Sequence, residues 1–279
     1  MRKPHDGGLR SPGRSVRHFS TDTAQMILTL NHGPVRELRL NRPPVNAISH
    51  DLITALLRAV QVAPEQGTEA LVLSGPSGMF SAGLDIPLLI KLDRPSITTL
   101  WRDFYTLLCV LASSPIPIAA AITGHAPAGG TVLTLFCDWR VAALGEWKIG
   151  LSEVQVGLVL PPVIYSALRR LVGSRHAERL AVSGRLMNPV EAASLGLVDE
   201  IVPPEKVVDR AVKWCHDLLA NPRVAREATR KQARADLVGL FEHGLEHEIE
   251  NVSESWWDDE TQAALRNMVE NLGRKKQAG

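Results

Sequence analysis

The sequence lacks the features by which several classes of protein are recognised. It has only three cysteines among 279 residues, a formal net charge of +1 and 5% aromatic residues. Cys109, Cys137 and Cys215 show no metal-binding spacing and lie in apolar surroundings, which is typical of buried reduced thiols in an intracellular protein. The small net charge argues against a nucleic-acid binder, because such proteins usually present a basic face.

Several ligand-binding signatures are also absent. The nine histidines are scattered, without an HExxH motif or a Cys/His cluster, so no metal site is predicted. Neither the GxGxxG pattern of dinucleotide-binding proteins nor the GxxxxGK[ST] pattern of P-loop proteins occurs. No apolar run is long enough to cross a membrane, so we expect no membrane partner.

The composition is otherwise that of a globular protein, 45% hydrophobic and 22% charged. Residues 1–25 are an exception: they combine Gly, Pro, Arg and Ser without an apolar period, which predicts a disordered or extended tail. Its basic residues and serines resemble those of a mitochondrial transit peptide, whereas its Pro and Gly residues would break an amphipathic helix. An extension upstream of a natural start near Met26 is the alternative, and the sequence does not decide between them.

Strand and helix patterns alternate from residue 26 onward. The predicted strands are 26–30, 35–40, 70–74, 118–122, 140–143, 147–149 and 200–202, and the predicted helices are 50–62, 86–91, 97–112, 163–172, 174–183, 189–194, 205–220, 222–236, 237–253 and 258–273. Twice a strand runs through a turn of small residues into a helix, which favours a wound α/β architecture. We expect an α/β core over residues 26–202 and a helical region over residues 203–279.

Residues 124–158 combine two features that point to chemistry. Ala128-Gly129-Gly130 precedes an apolar helix, and the unpartnered N–H groups at such a helix start can hold a negatively charged oxygen. Glu153 is a lone carboxylate among apolar residues, where poor solvation should raise its pKa and suit it to proton transfer. An anion cradle beside an isolated base predicts an enzyme that removes a proton next to a carbonyl.

Four segments resemble the crotonase (enoyl-CoA hydratase/isomerase) superfamily in their residues, order and spacing. They are residues 41–47 (NRPPVNA), 80–85 (FSAGLD), 126–137 (APAGGTVLTLFC) and 150–157 (GLSEVQVG). Each segment is weak alone, but the four together are highly specific, and the likeness runs from residue 26 to the C-terminus. The third segment is most similar to the isomerase branch of the family.

The resemblance implies a crotonase-like spiral of ββα turns, a C-terminal helical trimerisation region and an acyl-CoA thioester as substrate. It implies no separate cofactor, a homotrimer or dimer of trimers, and a bacterial cytoplasmic or mitochondrial matrix location. The backbone N–H groups of Ala82 and Gly129 are implied to form an oxyanion hole, with Glu153 as the base. The other positions implied to meet the substrate are Ser81, Gly83, Leu84, Asp85, Ala128, Gly130 and Val132. Asp85 is also predicted to cap the helix that follows it.

Val132 separates the functions that the resemblance allows. It stands where hydratases carry a second carboxylate that positions water, and a valine cannot activate water. The sequence therefore favours an isomerase that shifts the double bond of a 3-enoyl-CoA to the trans-2 position in fatty-acid β-oxidation. A hydratase or another lyase of the family is one alternative, and a catalytically silent acyl-CoA-binding protein is the other.

Overall fold

The computed structural model describes residues 26–277, so the tail predicted for residues 1–25 lies outside the described residues. The strands are β1 (Ile27–His32), β2 (Val35–Leu40), β3 (Ala70–Ser74), β4 (Gly78–Met79), β5 (Ile118–Ile122), β6 (Gly124–Pro127), β7 (Trp139–Ala143), β8 (Ile149–Gly150) and β9 (Glu200–Val202). The helices are α1 (His50–Val62), α2 (Ile86–Leu89), α3 (Arg94–Ser113), α4 (Gly129–Leu135), α5 (Pro162–Ser183), α6 (Pro189–Ser194), α7 (Val207–Leu219), α8 (Arg223–Ala233), α9 (Ala235–Gly239), α10 (Leu245–Ser255) and α11 (Asp259–Gln277).

The strands form two sheets that the chain visits in alternation. The larger sheet has the order β1-β2-β3-β5-β7-β9 and the smaller has the order β4-β6-β8. Among the strands of residues 26–277, β1 and β2 pair antiparallel and the other neighbouring strands pair parallel. Each of the turns beginning at β3, β5 and β7 contributes one strand to each sheet and then enters a helix. This repetition is the spiral of ββα turns that the resemblance implied.

The core lies on both faces of the larger sheet. Residues alternate along each strand, so Leu71 and Leu73 pack into the main core while Ala70 and Val72 join a smaller cluster on the other face. Parallel strands with both faces covered read as continuous apolar runs, as β3 and β5 do.

Local capping sets several helix boundaries. The Ser49 hydroxyl accepts the Leu52 N–H at 3.3 Å, which confirms the predicted N-cap of α1. Helix α3 begins three residues earlier than predicted, because the Asp93 carboxylate caps it by accepting the Ser96 N–H at 3.0 Å. The break predicted between residues 172 and 174 is present inside α5, where Gly173 adopts a φ of 75°.

The helices after β9 differ from the prediction most clearly over residues 237–253. The single helix predicted over residues 237–253 is wrong: the chain forms α9 and α10, separated by Gly244 with a φ of 73°, a left-handed conformation that a helix cannot continue. Helix α7 packs against the larger sheet through Val207, Ala211 and Cys215. A separate trimerisation region over residues 203–279 stays a prediction.

Candidate active site

One cavity collects most of the residues to which the sequence assigned chemistry. Its volume is about 220 Å³, and it is lined by six of the ten predicted site residues, Ala82, Leu84, Ala128, Gly129, Val132 and Glu153. The rest of its wall comes mainly from α3, α5, α11 and residues 156–161. Glu153 is the only ionisable side chain among the lining residues of the described chain. The cavity is therefore an apolar space with a single acid.

Glu153 sits at the start of a 3-10 turn, Glu153–Val156, three residues after β8 ends at Gly150. Its Oε2 atom is shielded from water and has no hydrogen-bond partner among the described residues. Burial raises the pKa of this carboxyl from 4.5 to about 7, because the charged form loses hydration that no cation or donor side chain replaces. A carboxyl that is half-ionised near neutral pH can both accept and return a proton.

The first small-residue loop joins β4 to α2 and is held from within. The Ser81 hydroxyl donates to the Asn46 carbonyl at 2.7 Å and accepts the Gly83 N–H at 3.2 Å. Gly83 has a φ of 83°, a conformation that L side chains rarely adopt, and this turns the next peptide group toward the second loop. Leu84 follows Gly83 and lines the cavity.

The hydrogen bonds of this loop correct the role predicted for Ala82. The Ala82 N–H donates to the Val45 carbonyl at 2.9 Å, so it is already occupied and is not a free donor for a substrate oxygen. The Leu84 N–H, two residues on, has no acceptor among residues 26–277. The available amide of this loop is therefore that of Leu84, a position that the sequence had assigned only to substrate contact.

The second loop brings Gly129 to the same place. Gly129 is the first residue of α4, so its N–H has no partner within the helix. Ala128 precedes it with a φ of 50°, which is uncommon outside glycine and costs about 1–3 kcal/mol where it occurs at functional sites. The Ala128 N–H donates to the Gly150 carbonyl at 2.8 Å, a bond that helps hold this conformation.

The two loops approach each other closely, and an added Cβ would be crowded at Gly83 of the first loop and at Gly130 of the second. A Cβ on Gly83 would lie 3.1 Å from the Gly129 nitrogen, and a Cβ on Gly129 would lie 3.4 Å from the Leu84 nitrogen. A Cβ on Gly130 would lie 2.6 Å from the Ser81 carbonyl oxygen. The free amides of Leu84 and Gly129 are therefore neighbours at the wall of the cavity that holds Glu153.

Four predicted site residues do not line the cavity, and the structure gives each a supporting place. Ser81, Gly83 and Gly130 shape the two loops, as described above. Asp85 caps α2 by accepting the Leu88 N–H at 3.2 Å, which confirms the predicted cap, and it also pairs with Arg42 at 2.6 Å. Val132 does line the cavity and is almost fully buried.

Several lining residues were not identified from the sequence as parts of the site. Trp101 and Phe104 come from α3, and Met268 comes from α11. Their helical spacing marked them as buried, but periodicity identifies a buried face without saying whether it meets core or cavity. Met268 lies on an apolar stripe of α11 that the sequence alone would assign to packing.

A spiral of ββα turns with an enclosed carboxylate and two free backbone amides defines the crotonase class of proteins, and comparison with known proteins agrees. Residues 31–276 match the family model described as enoyl-CoA hydratase/isomerase. The chain is 30% identical over 274 residues to mouse mitochondrial enoyl-CoA delta isomerase 1, covering 96% of this chain and 94% of that protein. It is 35% identical over 206 residues to the probable enoyl-CoA hydratase echA17 of Mycobacterium avium, covering 74% and 78%.

Among solved structures, the human mitochondrial delta3-delta2-enoyl-CoA isomerase superposes with a TM-score of 0.86 at 29% identity, covering 90% of this chain and all of that chain. The protein belongs to the enoyl-CoA hydratase/isomerase family. The predicted fold class is confirmed, and the family implies an enzyme of the crotonase superfamily with an enoyl-CoA substrate. Within residues 26–277, none of the helices has the length and apolar character that crossing a membrane requires.

Proposed function

We propose that this protein is an enoyl-CoA isomerase that shifts the double bond of a 3-enoyl-CoA to the trans-2 position. The observation that carries the proposal is the single carboxyl, Glu153, in an otherwise apolar cavity beside two unpaired backbone amides. The reaction needs one base that can transfer a proton at both C2 and C4, and hydrogen-bond donors for the thioester oxygen. It needs no second acid, no water and no cofactor.

The first step is removal of a C2 proton by the Glu153 carboxylate. The electron pair of the broken C–H bond moves into the C1–C2 bond, and the thioester oxygen becomes a dienolate oxygen. The N–H groups of Leu84 and Gly129 would donate to that oxygen, and losing one such donor typically costs about 3–4 kcal/mol of transition-state stabilisation. Both donors belong to the backbone, so they need little reorganisation when charge develops.

The second step returns the same proton to C4. As the thioester carbonyl re-forms, the second pair of the C1–C2 double bond moves into the C2–C3 bond, and the second pair of the C3–C4 double bond forms the new C4–H bond. Neutral Glu153 is the proton donor, and its pKa of about 7 suits this role because neither protonation state is strongly favoured at neutral pH. The cavity lining has no other ionisable side chain, so the proton has no competing acceptor of that kind.

The direct test is turnover of 3-hexenoyl-CoA by purified protein, read as formation of the conjugated trans-2 product. We expect Glu153→Gln to lower kcat about 10²–10⁴-fold, the range typical of general acid–base help. Glu146→Gln is the matched control, because Glu146 is exposed and lies only seven residues upstream. Absence of turnover by the unaltered protein, or full turnover by the Glu153 variant, would overturn the proposal.

Hydration is the second candidate, supported by the similarity to the Mycobacterium avium protein that is named a probable enoyl-CoA hydratase. Val132 argues against it, because its side chain lines the cavity where a second acid would be needed to hold water. Crotonyl-CoA separates the two activities, since it already carries the trans-2 double bond. Release of 3-hydroxybutyryl-CoA at a rate comparable to isomerisation would favour hydration.

A further inference from the structure

We infer that Thr131 is a positioning residue that holds the segment carrying Glu153 in register with the loop carrying Gly129. The inference rests on the proposed function, since it concerns the geometry of the same two groups. Thr131 does not line the cavity and is fully buried. It would act through the backbone groups that its hydroxyl contacts, the Ala126 carbonyl and the Gly150 N–H.

The Thr131 hydroxyl bridges two different strands. It donates to the Ala126 carbonyl of β6 at 2.5 Å and accepts the Gly150 N–H of β8 at 2.8 Å. A hydroxyl is suited to this place because it donates and accepts at once, whereas a thiol does both only weakly and an aliphatic side chain does neither. The bridge connects the first turn of α4, where Thr131 lies two residues after Gly129, to Gly150. Gly150 is the last residue of β8 and precedes the segment that carries Glu153.

Gly150 depends on this bridge more than an ordinary strand residue would. It adopts a φ of 139°, and a Cβ there would lie 2.9 Å from the Arg185 carbonyl oxygen, so the position requires glycine. A glycine has no side chain whose packing could fix its position. Both of its backbone polar groups are instead held from the second loop, the N–H by Thr131 and the carbonyl by the Ala128 N–H. The Gly129 amide and the Glu153 carboxyl are therefore located by one small set of bonds.

The consequence for the reaction follows from the length of chain involved. Only Leu151 and Ser152 separate Gly150 from Glu153, so a shift of Gly150 is passed on to the base. A displacement of about 1 Å between a base and the group that holds the developing charge can lower a rate about 10²-fold. Binding of the substrate is much less sensitive, because the relative position of base and amides matters only when the proton moves.

The test compares three variants of the full-length protein with 3-hexenoyl-CoA. Thr131→Val removes the hydroxyl and keeps the shape, and Thr131→Ser restores the hydroxyl. Thr134→Val is the matched control: Thr134 is equally buried and lies on the same helix, but its hydroxyl donates only to the Thr131 carbonyl of its own helix, at 2.8 Å. We expect Thr131→Val to lower kcat about 10–100-fold with KM changed less than about twofold.

The serine variant and the control decide the interpretation. Recovery of most of kcat in Thr131→Ser, with Thr134→Val near the original rate, supports the inference. Equal losses in Thr131→Val and Thr134→Val would instead indicate a general packing effect and overturn it, as would an unchanged kcat in Thr131→Val.

A second readout separates this inference from the proposed function. Exchange of the C2 protons of hexanoyl-CoA with D₂O requires only the base and the oxygen-binding amides, without any double-bond shift. If the unaltered protein exchanges these protons but does not isomerise 3-hexenoyl-CoA, the proposed function fails, and the same three variants then test Thr131 by their exchange rates. A protein that neither exchanges nor isomerises would overturn both.

Discussion

The backbone nitrogen of Leu84 lies 3.4 Å from the point that a Cβ on Gly129 would occupy. The two residues belong to different turns of the spiral, and neither N–H has an acceptor among the described residues. A methyl group on Gly129 would stand beside both amides, in the space that an oxygen must enter to accept from them. Under the proposed function, glycine at position 129 leaves room there for the substrate oxygen.

Gly129→Ala is accordingly expected to lower kcat for 3-hexenoyl-CoA by about 10²–10³-fold, the loss that accompanies removal of one oxyanion donor. Folding should survive, because Gly129 does not have a positive φ and alanine favours helices. The nearest contacts of the new methyl group are Ile48 Cδ1 at 3.0 Å, which can move, and the Gly83 Cα at 3.3 Å. Steady-state kinetics and a thermal unfolding curve on the same preparation check both statements.

Gly239→Ala provides the control for this substitution. Gly239 ends α9, does not have a positive φ, and has no heavy atom within 4 Å of an added Cβ. We expect unchanged kinetics there. A Gly129→Ala enzyme that retains full kcat would show that the two amides do not hold the reacting oxygen.

The pH dependence of the reaction should report the burial of Glu153. Only the ionised carboxylate can take the C2 proton, so kcat/KM should rise with pH and level off above an apparent pKa of about 7. An exposed glutamate would place this limb near 4.5, the ordinary value. A pH profile of kcat/KM with 3-hexenoyl-CoA measures this apparent pKa. An apparent pKa near 4.5 would mean that water reaches the carboxyl freely.

The same pKa makes Glu153 a cost to stability at neutral and alkaline pH. The unfolded chain releases this proton above about pH 4.5, whereas the folded protein retains it until about pH 7, so the free energy of unfolding falls across that interval. The full shift corresponds to about 3 kcal/mol. The glutamine of Glu153→Gln is neutral in both the folded and the unfolded state, so its variant does not lose this free energy of unfolding as the pH rises.

Urea unfolding from about pH 5 to about pH 8.5 should therefore show Glu153→Gln becoming steadily more stable than the original protein, with the gap constant above the pKa. Glu146→Gln should show no such trend, because Glu146 is exposed. A gap that does not widen with pH would contradict the burial of the Glu153 carboxyl.

Much of this site was predictable because its parts are local in sequence. The small-residue turns, the lone Glu153 and the caps at Ser49 and Asp85 depend on a few neighbouring residues, and each has a recognisable pattern. The strands β3 and β5 are short apolar runs bounded by polar or turn residues, so their limits were read correctly. These features need no knowledge of which segments meet in space.

The errors arose where a three-dimensional relationship decided the outcome. The free amide belongs to Leu84 rather than Ala82 because the Val45 carbonyl, from a distant segment, takes the Ala82 N–H. The available signal was Gly83 itself, since glycine readily adopts a positive φ, which reorients the peptide group that follows. Met268 was assigned to packing because no sequence pattern states that α11 closes a cavity built by the spiral.

Met268 should set the length of acyl chain that the cavity accepts. It lines the cavity from α11, on the same apolar stripe as the fully buried Leu265. Met268→Trp would fill space that the distal carbons need while leaving the amides and Glu153 untouched. We expect kcat/KM for 3-dodecenoyl-CoA to fall at least about tenfold relative to that for 3-hexenoyl-CoA, since single methylene-sized differences in a pocket change specificity about 10–200-fold.

Leu272→Trp is the control, because Leu272 is one turn further along α11, is 39% exposed and does not line the cavity. An equal fall for both chain lengths would place Met268 near the reacting carbons instead of the acyl tail.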